Sequence, residues 1–397
     1  MVYESCAYKR ISKARKASEK ISDPELQMLL PGLPDHIATL CLGRVPLQTL
    51  IGVCKGWRKL LYESRYFQAL RLSLGQANCS YPYVLVHRKD GKFSWFAFDP
   101  LLSSWHPLPP MPEEVEFQLS SPGLIGVKHS VQCVSTRTKL IVVAGSKIKK
   151  VGPSERVRLE PALDSPLVFD TKKCKWMRGR PFTVPRRWCA CGMVNDKLYL
   201  ASGCGTEWNS DISRSAEMYD LERELWRPIN RLASSKFSGE AISAVNLGGK
   251  LYMVSGRGVF ARVGVIFCPE LGQWTEMPCG LRDGWTGQCA ASQGRLYMLD
   301  FCGRLKVYDP VQDRWIVILK DEKLRNFQEM VGAGGKLCGH VVKMGSGEGA
   351  EPVSLLRILD VSSDEFKFFD VEMPEEGDQI VAMQVLERLP IPYQLEE

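Results

Sequence analysis

Side chains that could carry out acid–base or metal chemistry are few in this sequence and lie far apart. Five histidines belong to no recognisable motif: His36, His87, His106, His129 and His340. Cys189 and Cys191 are expected on one face of a strand, but no Cys-x-x-Cys pair or matching histidine completes a zinc site. The glycine strings at 332–335 and 345–347 do not lead from a strand into a helix, so they indicate turns rather than phosphate-binding loops. The sequence therefore predicts no catalytic residue, no metal site and no cofactor.

The cysteine content and the net charge limit the classes of protein to which this chain can belong. The 397 residues include 14 cysteines, scattered through apolar, strand-like runs as small buried side chains, which favours a reducing compartment. No apolar run has the length of a signal-peptide core or a membrane helix. The net charge of +7 is spread thinly, with clusters at 9–20 and 147–158, and no groove-reading element accompanies it. We expect a cytoplasmic and/or nuclear protein that binds neither nucleic acid nor membranes.

Four short segments place an aromatic ring close to a charged side chain, a combination typical of protein-binding surfaces. They contain the binding-face candidates Arg187, Trp188, Phe237, Arg282, Trp285 and Phe327. Two interpretations are open, because large aromatic rings also serve as packing elements. The rings contact a bound protein, or they fill the space between neighbouring sheets.

The elements that position these segments come from a repeat. An apolar triplet, a turn residue and an aromatic six positions after that residue recur six times: Asp99 with Trp105, Asp170 with Trp176, Asp220 with Trp226, Cys268 with Trp274, Asp309 with Trp315 and Asp360 with Phe366. The apolar run is typical of a strand, Asp begins a turn, and the aromatic starts the returning strand. A second signature, a turn followed by Leu-Tyr and small residues, predicts another hairpin in the units that carry it.

Two hairpins in about 50 residues give four strands per unit, which is the period of a propeller blade. We predict a mainly β fold: a six-bladed β-propeller over residues 80–391, followed by a short tail at 392–397. The long spacing between Asp99 and Asp170 indicates an insertion, assigned to residues 147–158. The apolar run at 380–386 has no partner hairpin, and pairing it with the first blade would remove two exposed sheet edges.

Residues 29–75 have a different character and predict a small module of three helices, preceded by a flexible basic tail at 1–28. The first helix begins at Pro34 and the second at Pro46, because proline is tolerated in the first turn. The third covers residues 57–62 and ends near Ser64. Some 45 residues form a poor independent core, so the remaining apolar faces need a partner.

These motifs resemble two known families. The F-box pattern is matched, in order and spacing, by Leu33-Pro34-Asp35, Arg44-Val45-Pro46, Val53 to Trp57 and Phe67. His36 stands where that family usually has an aliphatic residue. The propeller units resemble kelch repeats, although Ser202-Gly203 and Ser255-Gly256 replace the family's glycine doublet. The whole chain is similar to plant F-box/kelch-repeat proteins.

The resemblance implies a non-catalytic substrate receptor of an SCF-type cullin–RING ubiquitin ligase. The F-box would dock on the Skp-type adaptor and through it on the cullin, while the propeller holds a protein for ubiquitination, such as a metabolic enzyme or a signalling protein. The family pattern implies these adaptor-binding residues: Leu33, Pro34, Ile37, Leu40, Leu42, Val45, Leu47, Val53, Cys54 and Trp57. An alternative role for several of them is to hold the helices together. Two other functions stay open, a kelch scaffold without a ligase role and an enzyme in the propeller mouth.

Overall fold

The computed structural model describes residues 29–74, 76, 80–112, 131–151, 156–207, 209–233, 242–257, 260–325, 327–343, 353–363, 365–375 and 378–387. The predicted tails at 1–28 and 392–397 lie outside these residues. Contacts divide the chain into two compact units, Met1–Cys79 with Pro100–Leu102, and Ser80–Asp99 with Ser103–Glu397. Within the described residues, no helix combines the length and apolar character needed to cross a membrane.

The first unit is helical. Its helices are α1 (Asp35–Leu42), α2 (Leu47–Val53), α3 (Lys55–Glu63) and α4 (Arg65–Ser73). Pro34 and Pro46 directly precede α1 and α2, in agreement with the predicted starts. The sequence predicts three helices, and the structure has a fourth because Ser64 does not end the helical region. Its hydroxyl accepts a hydrogen bond from the Phe67 backbone N–H at 3.1 Å, which caps the start of α4.

A buried arginine ties the last helix of this unit to the turn between the first two. The Arg71 guanidinium on α4 donates from Nη1 to the carbonyl oxygens of Gly43 at 3.1 Å and Val45 at 2.7 Å, in the turn between α1 and α2. Burial lowers the pKa of Arg71 from its ordinary value. Two hydrogen bonds to carbonyls left over at a helix end compensate for much of the cost of burying the charge.

The second unit is a six-bladed β-propeller, as predicted. Its strands are β1 (Tyr81–His87), β2 (Phe93–Asp99), β3 (Ser104–Pro107), β4 (Gln132–Ser135), β5 (Lys139–Ala144), β6 (Ser146–Val151), β7 (Arg156–Pro161), β8 (Leu167–Asp170), β9 (Lys175–Arg178), β10 (Ala190–Val194), β11 (Lys197–Ala201), β12 (Ala216–Asp220), β13 (Leu225–Ile229), β14 (Ile242–Leu247), β15 (Lys250–Arg257), β16 (Phe260–Cys268), β17 (Gln273–Glu276), β18 (Gln288–Ser292), β19 (Arg295–Leu299), β20 (Arg304–Asp309), β21 (Arg314–Lys320), β22 (Phe327–Ala333), β23 (Lys336–Lys343), β24 (Val353–Asp360), β25 (Lys367–Glu372) and β26 (Gln379–Leu386). Short helices α5 (Ser210–Arg214) and α6 (Cys279–Asp283) and a 3₁₀ turn (Glu322–Leu324) lie in the connections.

Each blade is a four-stranded antiparallel sheet. The first blade has the order β26-β1-β2-β3, and the others are β4-β5-β8-β9, β10-β11-β12-β13, β14-β15-β16-β17, β18-β19-β20-β21 and β22-β23-β24-β25. The C-terminal strand therefore completes the first blade, as predicted, with Tyr83 opposite Gln384 in the register. Between β5 and β8, β6 and β7 form a separate two-stranded sheet at the position of the predicted insertion.

The turn residue of the repeat acts as predicted. The Asp170 side chain accepts hydrogen bonds from the backbone N–H groups of Lys172 at 2.9 Å and Lys173 at 3.3 Å, and Asp309 does the same for the two residues after Pro310. Four positions after the turn residue, the backbone enters the left-handed region in five copies: Ser103, Cys174, Glu224, Gly272 and Asp313, with φ between 47° and 62°. This residue reverses the chain so that the aromatic can begin the last strand.

The repeated tryptophans connect neighbouring blades. In five blades the indole N–H donates to a backbone carbonyl at or just after the last strand of the preceding blade. The bonds are Trp105 to Glu372 (2.8 Å), Trp176 to Pro109 (2.9 Å), Trp226 to Arg180 (2.9 Å), Trp274 to Asn230 (2.7 Å) and Trp315 to Leu281 (3.0 Å). The first of these joins the first and sixth blades, so the same contact also closes the ring.

Candidate functional site

One end of the antiparallel sheets carries most of the predicted binding residues. In each blade the connection between the second and third strands, and the connection to the next blade, lie at the same end of the sheet, because the strands alternate in direction. We call this end the loop face. Arg187, Trp188, Arg282 and Trp285 lie in its blade-to-blade connections, and Phe327 is the first residue of β22. Phe237 lies outside the described residues.

Trp188 is held inside the wall of the propeller. Its side chain is 6% exposed, and its backbone N–H donates to the Gln132 Oε1 atom at 2.9 Å. Its φ of +55° is in the left-handed region, which an aromatic residue rarely adopts. The Arg187 guanidinium carbon lies 4.1 Å from the centre of the Trp188 ring, and its Nε donates to the Gly205 carbonyl at 3.2 Å. These contacts fix both side chains in position.

Trp285 and Phe327 also have packing roles. Trp285 is 4% exposed, and its ring meets the repeated Trp315 edge-on with 6.4 Å between ring centres. The Phe327 ring lies against Gly339, where a Cβ would come within 1.8 Å of a ring carbon. The burial of Trp188 and Trp285 agrees with the interpretation that rings fill space in and between blades. Their contact with a bound protein stays a prediction.

Arg282 is more accessible than Arg187, Trp188 and Trp285, which are all buried. It stands on α6 and its Nε donates to the adjacent Asp283 Oδ1 at 2.7 Å, so the guanidinium is already paired locally. This hydrogen bond raises the pKa of Arg282. The side chain is about one-third exposed, which leaves it accessible to a carboxylate of a partner.

Arg186, which the sequence analysis did not single out, is a further buried charge next to these residues. Its guanidinium donates to the Ser202 carbonyl at 2.8 Å and lies 3.4 Å from the Glu217 carboxylate, with both side chains almost fully buried. The neighbouring Ser202 has φ of +62°, at the position where kelch repeats carry glycine. The signal in the sequence was the pair of basic residues following Pro185 in a propeller connection.

A second residue missed in the sequence is Phe301, in the four-residue connection from β19 to β20. Its side chain is 71% exposed on the loop face. Below it, the buried Asp300 carboxylate accepts from Arg304 Nε at 2.7 Å and pairs with Lys306 Nζ at 3.2 Å. Burial alone would raise the pKa of Asp300, but these bonds and a backbone N–H outweigh it and lower the pKa. These bonds tie Asp300 to β20, and the next residue along the chain is the exposed Phe301.

The first strands of the six blades surround a central cavity of about 320 Å³. It is lined mainly by thiols, amides and small apolar side chains, and Glu329 is the carboxylate among its lining residues. Burial raises the pKa of the Cys133 and Cys289 thiols well above their usual range, so these cysteines are poor nucleophiles. Among the described residues, no group of three or more histidine, cysteine or acidic side chains could hold a metal ion.

The helical unit exposes part of the predicted adaptor-binding set. Leu33 and Ile37 are 37% and 39% exposed at the start of α1, and Val53 at the end of α2 is 53% exposed. The remaining predicted residues divide into exposed (Pro34, Cys54), half-buried (Leu40, Val45, Leu47, Trp57) and buried (Leu42).

Two of these residues support the helices, as the alternative interpretation holds. The Trp57 indole N–H donates to the Leu29 carbonyl at 2.7 Å, and the Cys54 thiol accepts from the Trp57 backbone N–H at 3.4 Å. These bonds fix the start of α3. They leave open a second role in contact with a partner.

Several curated proteins are similar to nearly all or most of this chain. The F-box/kelch-repeat protein SKIP25 of Arabidopsis thaliana is 31% identical over 400 residues, which cover 96% of this chain and 95% of that protein. F-box/kelch-repeat protein At1g22040 from the same plant is 26% identical and covers 77% of this chain and 74% of its own length. F-box protein AFR, also from Arabidopsis thaliana, is 26% identical over 73% of both chains. No protein-family model matches the chain.

Proposed function

The chain belongs to the F-box/kelch-repeat protein family, and from this premise we propose that it is the substrate-recognition subunit of an SCF-type cullin–RING ubiquitin ligase. The helical unit docks on the Skp-type adaptor, which links it to the cullin. The loop face of the propeller holds a protein target, of a class such as metabolic enzymes or signalling proteins. The chain itself is non-catalytic and works in the cytoplasm and/or the nucleus.

The observation that carries the proposal is the apolar surface of the helical unit. Leu33, Ile37 and Val53 are large aliphatic residues with 37% to 53% of their area exposed on a unit of some 45 residues. Such side chains, presented by short helices, suit insertion into a groove of a partner protein. Their burial there would supply the affinity that so small a module needs to stay attached.

The propeller supports the other half of the proposal. Its loop face combines the exposed Phe301 with Arg282 and Arg304, and aromatic and arginine side chains dominate the energetics of protein interfaces. Holding a target beside the transfer machinery raises its effective concentration without new chemistry in this chain.

The test is capture of a purified Skp-type adaptor by the full chain. Ile37→Asp and Val53→Asp should each weaken capture by at least about 30-fold, because each places a charge in a desolvated contact. Both positions are exposed in the free protein, so the fold should tolerate the change. Val311→Asp is the matched control, since Val311 is an exposed aliphatic residue in a propeller turn.

Failure of the wild-type chain to capture the adaptor would refute the ligase role. That result would favour a kelch scaffold without a ligase role, in which the helical unit is only an N-terminal cap. Equal weakening by Val311→Asp would show that the loss comes from charge or solubility and would remove the support for this docking surface.

A further inference from the structure

The insertion between β5 and β8 forms a basic ribbon on the loop face. We define the basic ribbon as β6 and β7, which pair from Ser146 opposite Pro161 to Val151 opposite Arg156. In the fifth blade the same connection needs only the four residues between β19 and β20. The ribbon is therefore not required to complete its blade, and its sheet has no third strand among the described residues.

The ribbon concentrates positive charge. Residues 146–161 contain five basic and two acidic side chains, a net charge of +3 out of +7 for the whole chain. Lys147 and Lys149 both stand exposed, and Lys149 lies directly opposite Arg158 in the register. Like charges placed opposite each other destabilise a two-stranded sheet. In the same register Lys147 lies opposite Glu160, so one of the two charged pairs is favourable and the other is not. An anionic partner would relieve the unfavourable pair.

The local acidic groups relieve this repulsion only in part. The Lys149 Nζ atom is 3.6 Å from the Glu160 carboxylate, and its side chain remains 61% exposed. Arg158 pairs with Glu207, which lies in the connection between β11 and β12 of the next blade. This pair holds one side of the ribbon, while Lys147 and Lys149 face solvent.

We propose that the basic ribbon is a docking element for an acidic, extended segment of the target protein. Lys147 and Lys149 are two positions apart on one strand, so their side chains share a face about 7 Å apart. Carboxylates on alternate residues of an extended peptide have the same spacing. Ile148 is half-exposed on the opposite face of the ribbon, so it does not contact a peptide that lies along the two lysines.

A protein segment fits better than a membrane or a nucleic acid. Stable membrane attachment takes a second anchor in addition to a basic patch, and the ribbon alone offers a net charge of +3. Proteins that bind duplex DNA commonly neutralise six to ten phosphates, roughly twice what this ribbon supplies. The proposal rests on the proposed function, since the loop face is the surface assigned to a protein target.

The experiment measures binding of a fluorescein-labelled peptide of alternating Glu and Thr to the full chain by fluorescence anisotropy. The same peptide with Gln for Glu is the uncharged comparison. Lys147→Gln with Lys149→Gln should weaken binding about three- to tenfold at 50 mM NaCl, as expected for the loss of two exposed ion pairs. The matched control is Lys172→Gln with Lys173→Gln, an exposed pair at the other end of the same blade. It removes the same net charge and should change binding less than twofold.

Three results would overturn the docking role: equal weakening by both double variants, equal binding of the Gln peptide, or ribbon-dependent binding of anionic vesicles or duplex DNA that exceeds peptide binding. Raising NaCl to 300 mM should reduce the difference in peptide affinity between the wild type and the ribbon variant, because screening weakens exposed ion pairs. Adaptor capture by the ribbon variant should equal that of the wild type. A wild-type chain that captures the adaptor but does not bind the Glu peptide would refute this inference alone. A wild-type chain that binds the peptide through the ribbon but does not capture the adaptor would refute the proposed function alone.

Discussion

Replacing Trp176 with phenylalanine should destabilise the propeller through the loss of one hydrogen bond between blades. The Trp176 indole N–H donates to the Pro109 carbonyl at 2.9 Å, and the ring is 5% exposed between Phe169 and Trp95. Phenylalanine keeps most of the ring and removes the donor. The Pro109 carbonyl is then left without that donor.

The size of the loss in stability can be judged by comparison with Trp95, which packs against Trp176. Trp95 is 2% exposed, and among the described residues its indole N–H has no acceptor. Trp95→Phe therefore loses ring area only, about 1 kcal/mol or less. Trp176→Phe loses a similar area and also leaves a carbonyl unsatisfied, which adds about 1–2 kcal/mol. The two variants should differ by about that amount.

Urea unfolding of the full chain, followed by far-ultraviolet circular dichroism, measures both free energies of unfolding. An unchanged dependence on urea would show that the compactness of the unfolded state is the same in the two variants. Equal losses for Trp176→Phe and Trp95→Phe, or a larger loss at Trp95, would refute the role assigned to the indole bond.

Three further changes test other features of the propeller. Gly280→Ala should lower the free energy of unfolding by about 2 kcal/mol or more. A Cβ there would lie 1.6 Å from the Asp313 carbonyl oxygen, so the backbone must shift. Ser202→Gly should raise the free energy of unfolding by about 1 kcal/mol. The change relieves a backbone φ of +62° and removes a buried hydroxyl that lacks a hydrogen bond within the described structure. Asp378→Asn should raise the melting temperature at pH 7.5. Burial and the nearby Glu375 raise the pKa of Asp378, so its ionised form is disfavoured in the fold, and the advantage of Asn should disappear as the pH falls below the ordinary aspartate pKa.

Each of these three predictions has a clear contrary outcome, and Gly280→Ala also has a control. Gly52→Ala on α2, where a Cβ meets open space, should not destabilise, and a loss there equal to that at Gly280 would point to a general effect of the substitution. A destabilised Ser202→Gly variant would mean that the backbone there is not strained. If Asp378→Asn raises the melting temperature equally at every pH, burial does not disfavour the ionised carboxylate. Thermal unfolding by circular dichroism measures all of them.

The sequence predicted the propeller well because its repeat has a direct physical cause. In four of the six copies, at Asp170, Asp220, Asp309 and Asp360, the side chain binds backbone N–H groups that follow it, so a fixed offset to the aromatic follows. The left-handed residue of the same turn was not predictable. Four of the five residues that adopt it are not glycine, so the usual signal for positive φ is absent.

The binding-face candidates were harder, because sequence does not separate a ring that packs from a ring that binds. Trp188 and Phe301 are both aromatic residues in propeller connections, yet one is buried and the other is largely exposed. What decides is the position of the neighbouring blade, which depends on the closed ring. The fourth helix was missed for a similar reason, since Ser64 serves equally well as a stop or as a cap.

The pairing of β26 with β1 means that the first blade cannot be completed until the end of the chain has been synthesised. Tyr81 and Leu386, partners in the register, are separated by about 300 residues of chain. At a synthesis rate of roughly 5–20 residues per second, β1 leaves the ribosome on the order of 15–60 s before β26 exists. During that interval the edge of the first blade is open to other strands.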